Sequence, residues 1–198
     1  MIILGLTGSI GMGKTTTAGL FAEEGCPVFN ADAAVHRLYS KGGKAVPLVQ
    51  AVFPDAIKEG AVDRSVLGDH MRADPLNLKV LESFIHPWVE ELRQLFFDEA
   101  RQKNTDIVVL DIPLLFETGG DKKVDVTVTV SAPYEVQKSR VMARPGMTEE
   151  LFEMLLGRQM SDEEKRSRSD FVLSTGESIP ETRKQVQELV QKLRSKEA

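Results

Sequence analysis

Eight residues constrain this chain more than any others. Gly8-Ser9-Ile10-Gly11-Met12-Gly13-Lys14-Thr15 satisfies G-x-x-x-x-G-K-[ST] and follows an apolar run, Ile2-Ile3-Leu4-Gly5-Leu6. The run reads as a buried strand, so the motif stands where a P-loop forms. Glycines let the backbone curl around an anion with its N–H groups inward, where a β-carbon would block the curl or the approach. Gly11, Met12, Gly13, Lys14, Thr15 and Thr16 are therefore expected to cradle phosphates. Lys14 adds a point charge at the β/γ-phosphates, and the Thr15 hydroxyl is placed to take a ligand position on Mg²⁺. Residues 16–23 predict a helix whose N-terminus carries partial positive charge toward the phosphates.

What the phosphates are used for must come from the rest of the chain. Its 198 residues suit one α/β domain with insertions rather than two full domains. A net charge of -5 argues against a general nucleic-acid binder, which needs clustered Lys and Arg to displace counterions. The lone Cys26 cannot form an internal disulfide, so a reducing, cytoplasmic compartment is expected. The N-terminus lacks the basic leader of a signal peptide, and no segment has the length of a membrane span.

Val28-Phe29-Asn30 reads as a short strand running to Ala31-Asp32, which puts Asp32 at a strand's carboxyl end, where open parallel sheets bind ligands. Asp32 also precedes a plausible helix from Ala33 to Tyr39, so it is a candidate N-cap as well as a candidate catalytic acid. Residues 33–105 carry helical spacing and predict an all-helical insertion. Its helix starts are marked by Asp63, by Asp74-Pro75 and by His86-Pro87, the last opening a helix with Trp88, Leu92 and Leu95 and leaving His86 as a corner outside it.

Residues 106–111 form an apolar run ending in Asp111, as a strand covered on both faces does. An acid there either holds Mg²⁺ or ends the strand in solvent. Val124–Val130 and Asp170–Ser174 complete five strands, and an amphipathic helix over 180–194 closes the chain. The alternation predicts an α/β P-loop NTPase core with a five-stranded parallel sheet. Between the last two strands, Gln137, Arg140 and Arg144 stand at i, i+3 and i+7 and would share a helical face before Pro145-Gly146 breaks it. Thr148 and Ser161-Asp162-Glu163-Glu164 mark two further helix starts. Helices joined by Pro-Gly with arginines on one side make a candidate lid over 137–168.

Several separated segments resemble one family, the dephospho-coenzyme A kinases. They are Leu6-Thr7-Gly8, Ala31-Asp32 with His36 and Leu38, Glu82 with His86-Pro87, Asp111-Ile112-Pro113-Leu114-Leu115-Phe116-Glu117, Gln137 with Arg140 and Arg144, Arg158-Gln159, and Asp170-Phe171-Val172. The chain departs from the family at Asn30, where an aspartate is frequent, and at Ser9 and Met12, where Gly and Ser are common. The resemblance implies ATP-dependent transfer of a phosphoryl group to the ribose 3′-hydroxyl of dephospho-CoA, with ATP and Mg²⁺ required, while charge and hydropathy lead us to expect no nucleic-acid or membrane partner. It implies a core of 1–32, 106–136 and 169–198, a helical insertion at 33–105 that binds the acceptor, and the lid at 137–168. Asp32 would be the base, Lys14 and Arg140 would offset charge on the transferred group, Arg144 would hold nucleotide, and Thr15 and Asp111 would hold the metal.

Two other readings stay open on sequence. A P-loop kinase for another small acceptor, such as a nucleoside monophosphate, would share the architecture. A regulatory GTPase would share the loop, but the chain has no Asn-Lys-x-Asp segment for guanine, and Asp111 leads into Ile-Pro-Leu rather than Asp-x-x-Gly.

Overall fold

The structure is a computed structural model. It describes residues 1–197, without the side chains of residues 75, 196 and 197, so residue 198 of the expected core lies outside the described residues. Asn30–Glu99 forms one compact unit, and the chain on either side of it forms another.

The flanking unit is built on a parallel sheet. Strand β1 (Ile2–Thr7) leads through the P-loop into helix α1 (Lys14–Glu23), and β2 (Val28–Asn30) follows. After the Asn30–Glu99 unit come β5 (Ile107–Asp111), β6 (Val126–Ser131), α6 (Tyr134–Met142), α7 (Glu149–Gly157), α8 (Asp162–Arg168), β7 (Phe171–Ser174) and α9 (Ile179–Glu197). The spatial order is β2-β5-β1-β6-β7. The chain thus builds one side of β1, returns, and builds the other, which makes the end of β1 a switch point where such sheets bind ligands. Registry fixes the site's floor: Leu6 lies opposite Asp111, and the Ile112 N–H donates to the Leu6 carbonyl at 2.9 Å.

Every residue of β5 is buried, which is why its sequence is a continuous apolar run with no alternation. Leu4, Leu6, Val109, Val128 and Val130 pack with Phe21 of α1 and with Val186, Leu189, Val190 and Leu193 of α9. The α9 spacing is a helical stripe, and each such side chain contributes roughly 1.5–3 kcal/mol on burial.

The Asn30–Glu99 unit contains α2 (Ala31–Tyr39), α3 (Val46–Val52), a hairpin of β3 (Ile57–Lys58) and β4 (Ala61–Val62), α4 (Arg64–Ala73) and most of α5 (Pro75–Gln102). The hairpin corrects the all-helical expectation. Its turn residues Glu59 and Gly60 both have positive φ, 53° and 81°, as a two-residue type I′ turn requires. A glutamate in that position is no sequence signal, which is why periodicity alone missed it. A second correction concerns His86-Pro87, which lies inside α5 and opens nothing. An interior proline costs about 3 kcal/mol. Leu81, Ile85, Trp88, Val89 and Leu92 nevertheless form one stripe packed into this unit's core, and their burial outweighs the lost backbone bond. Asp63 does cap α4, accepting from Ser65 N at 2.9 Å.

Candidate functional site

The P-loop closes β1 and opens α1. Its helix has Gly13 at the N-cap, with no side-chain cap and no acid in the first turn. The N–H groups that begin α1 are thus left to an outside acceptor, which is what makes a helix start an anion site. Gly13 has φ 83° and Gly11 φ 78°, conformations that side chains resist. A β-carbon on Gly11 would also stand 2.5 Å from Val141 Cγ2 of α6, so that glycine serves packing as well as curl.

Gly11, Gly13, Lys14, Thr15 and Thr16 line a cavity of about 580 Å³, together with Arg140, Arg144 and Thr175. Met12 lines it too, but its N–H donates to the Ser9 carbonyl at 3.2 Å and its side chain is buried, with Sδ accepting from Ala132 N. The Met12 N–H, expected to help cradle phosphates, is thus engaged within the loop itself. Lys14 is ion-paired with Asp111, which is only 3% exposed at the end of β5. The strand-end alternative of a solvated Asp111 is thereby corrected: register carries that carboxylate to the loop lysine.

Of the three residues expected to share a helical face, Gln137 and Arg140 lie three positions apart within α6, and Arg144 lies past its end. Gln137 is 2% exposed and donates through Nε2 to the Ile10 carbonyl at 2.7 Å. Arg140 reaches Thr175, with Nη2 donating to its carbonyl at 2.6 Å and Nη1 to its hydroxyl at 3.3 Å. Arg144 lies beyond the end of α6, in a turn where its N–H donates to the Val141 carbonyl, and it enters the cavity wall from there. The helix ends at Met142 because Pro145 and Gly146, the latter at φ 75°, cannot continue it.

Asp32 belongs to the Asn30–Glu99 unit. It is exposed, in the first turn of α2, two residues past β2. The capping alternative is overturned: Asn30 is the cap, its Oδ1 accepting from Ala33 N at 2.8 Å, so the helix starts two residues earlier than expected. The departure at Asn30 costs no cap, since Asn and Asp cap about equally well.

Three participants were given no role by sequence reasoning. Thr175 donates to the Met12 carbonyl at 2.8 Å while holding Arg140, and its only signal was its place just beyond a parallel strand. Gln159, in the turn after α7, accepts from Ile10 N at 3.0 Å. Lys165, wholly buried in α8, donates to the Pro113 carbonyl at 3.0 Å and pairs with Glu117 at 2.8 Å. Burial pushes the Glu117 carboxyl up, but hydrogen bonds from Lys165 and Met160 N outweigh it and leave Glu117 below its ordinary range. This pair pins the loop that follows Asp111.

The family model described as dephospho-CoA kinase matches residues 2–181. A dephospho-CoA kinase of Agrobacterium fabrum is 53% identical over 193 residues, covering 98% of this chain and 98% of that one. Among solved structures, a protein of Thermus thermophilus aligns with TM-score 0.79 at 36% identity, over 97% of each chain. A dephospho-CoA kinase of Campylobacter jejuni aligns with TM-score 0.73 at 23% identity, over 99% of this chain and 98% of that one, which shows a shared fold. A match running from the first strand into the last helix, on a chain whose loop, strand-end acid and arginines are assembled in this way, makes this protein a member of the dephospho-CoA kinase family.

Proposed function

We propose that this protein transfers the γ-phosphoryl group of ATP to the ribose 3′-hydroxyl of dephospho-CoA, giving coenzyme A and ADP. The observation that carries the reading is the gathering of the loop amides, Lys14, Arg140 and Arg144 around one cavity, in a chain that belongs to this family over most of its length.

Phosphoryl transfer asks a protein chiefly for positioning and for charge placed where it develops. The amides of Gly11, Gly13, Lys14, Thr15 and Thr16 would bind the phosphates, while Lys14, Arg140 and Arg144 would offset charge on the oxygens of the transferred group. Asp32 would orient the ribose hydroxyl and accept its proton as the new O–P bond forms and the bond to ADP breaks. Its place two residues past the carboxyl end of β2 supports this role.

Mg²⁺ is a further part of the proposal. Thr15 and Asp111 offer a hydroxyl and a carboxylate, both hard oxygen donors, and among the described residues no group of three or more His, Cys, Asp or Glu could hold a metal. A sparse oxygen set fits Mg²⁺, which keeps waters and shares its ligands with phosphates. When bound it would neutralise phosphate charge, and Thr15 and Asp111 would hold it.

The acceptor is assigned to the 33–105 insertion and the lid to 137–168. The break at Pro145-Gly146 between α6 and α7 supports a moving α7, whose closure would keep water from competing as acceptor. A cytoplasmic setting is supported by Cys26, buried and free. Among the described residues no helix is long and apolar enough to cross a membrane.

The test is incubation with ATP, Mg²⁺ and a panel of dephospho-CoA, adenosine and AMP, with products resolved by mass and the phosphorylated position by NMR. Dephospho-CoA should gain one phosphoryl group at the 3′ position. Faster turnover of adenosine or AMP would refute the assignment.

A further inference from the structure

Two glutamines hold consecutive peptide planes of the P-loop. Gln159 Oε1 accepts the Ile10 N–H at 3.0 Å, which fixes the plane between Ser9 and Ile10. Gln137 Nε2 donates to the Ile10 carbonyl at 2.7 Å, which fixes the plane between Ile10 and Gly11. A peptide unit is planar and trans, so its N–H points opposite to its C=O. Holding the Ile10 carbonyl toward Gln137 therefore turns the Gly11 N–H away from α6. Holding the Ile10 N–H toward Gln159 turns the Ser9 carbonyl the other way, where it accepts Met12 N and closes the turn.

The two glutamines sit on either side of the Pro145-Gly146 break, Gln137 within α6 and Gln159 two residues past the end of α7. Gln137 is buried within α6, while Gln159 is only half-buried and lies on the segment that follows α7. Backbone N–H groups in a part-buried loop need a partner, and among the described residues the Ile10 N–H has no acceptor besides Gln159 Oε1.

We propose that Gln159 is a positioning residue of the phosphate loop: it ties the orientation of the loop's amides to the position of the end of α7. The inference rests on the nucleotide-binding reading above. In effect, the lid segment and the phosphate cradle are joined through one side-chain amide, so that loop geometry and lid position change together.

The experiment measures amide hydrogen exchange at Ile10 by NMR, with ATP affinity, steady-state kinetics and thermal unfolding, in Gln159→Leu and Gln159→Glu. Leucine removes the acceptor at similar volume, and exchange at Ile10 should speed about tenfold, as for loss of one hydrogen bond. ATP affinity should weaken about five- to tenfold while the unfolding midpoint moves little. Glutamate restores an acceptor oxygen, so Ile10 protection should return. Its added charge faces the phosphates, so rescue is read on exchange alone. Unchanged protection at Ile10 in Gln159→Leu would overturn the proposal, and so would faster exchange with unaltered ATP affinity. Neither the exchange nor the ATP-affinity readout involves dephospho-CoA, so a wrong acceptor assignment would show separately, in the acceptor panel.

Discussion

Replacing Asn30 by alanine and Asp32 by asparagine should divide stability and catalysis between two residues that lie two positions apart. Asn30 Oδ1 accepts the Ala33 N–H at 2.8 Å and begins α2. Loss of such a cap costs about 1 kcal/mol, which lowers the unfolding midpoint of a chain this size by roughly 2–4 °C. Asp32 is exposed in the first turn, where its charge meets the helix dipole, and asparagine there costs roughly 0.3–1 kcal/mol. Turnover should follow the opposite order. An asparagine cannot accept a proton, so Asp32→Asn should lose about 10²- to 10³-fold in kcat, the lower part of the general-base range because a loose transition state asks little of the base early on. Asn30→Ala should stay within about threefold of the parent, since it removes only a cap. Thermal unfolding by circular dichroism, ATP affinity and steady-state kinetics on both variants make the assay. Near-parental turnover in Asp32→Asn would remove it as the base, and a larger midpoint loss there than in Asn30→Ala would refute the assignment of the cap.

Lys14→Ala should lower turnover by about 10²- to 10³-fold and also lower the unfolding midpoint, because it leaves the buried Asp111 carboxylate without its lysine. Adding Asp111→Asn should recover the midpoint and not the turnover, and recovery of both would place this pair outside the mechanism. Arg140→Lys should behave like Arg140→Ala in kcat, since a single ammonium cannot reproduce the two guanidinium bonds to Thr175; full activity would refute that requirement. Glu117 is held below its ordinary value of 4.5, so its stabilising contribution is fully present above that pH and is lost as pH falls through the lower folded value. Lys165→Met should therefore cost about 3 kcal/mol at neutral pH and flatten the acid limb of the stability profile, read by urea unfolding from pH 3 to 7; an unchanged limb would refute the pairing as its cause.

The parts of this protein that could be read in the chain are those whose physics is local. A strand, eight loop residues and a helix start are contiguous, and the N–H array they make needs no distant partner. The caps at Asp63, Thr148 and Ser161 are likewise confined to three or four residues, and each accepts the N–H expected of it. Even here the chain misled at α2, where Asn30 and Asp32 are both competent caps and only the folded backbone chose between them.

Tertiary structure decided the rest. The order β2-β5-β1-β6-β7 is what brings Asp111 to Lys14 across 97 positions, and no local pattern specifies which strand lies beside β1. Pro87 stays inside α5 because the stripe from Leu81 to Leu92 packs as one surface, a gain that a propensity for ending helices does not weigh. Lys165 and Gln137 are buried polar residues on helices, because their partners are a carboxylate and carbonyls 48, 52 and 127 positions away. A polar side chain is buried only where a distant partner satisfies it, and that partner becomes a neighbour only once the sheet has formed.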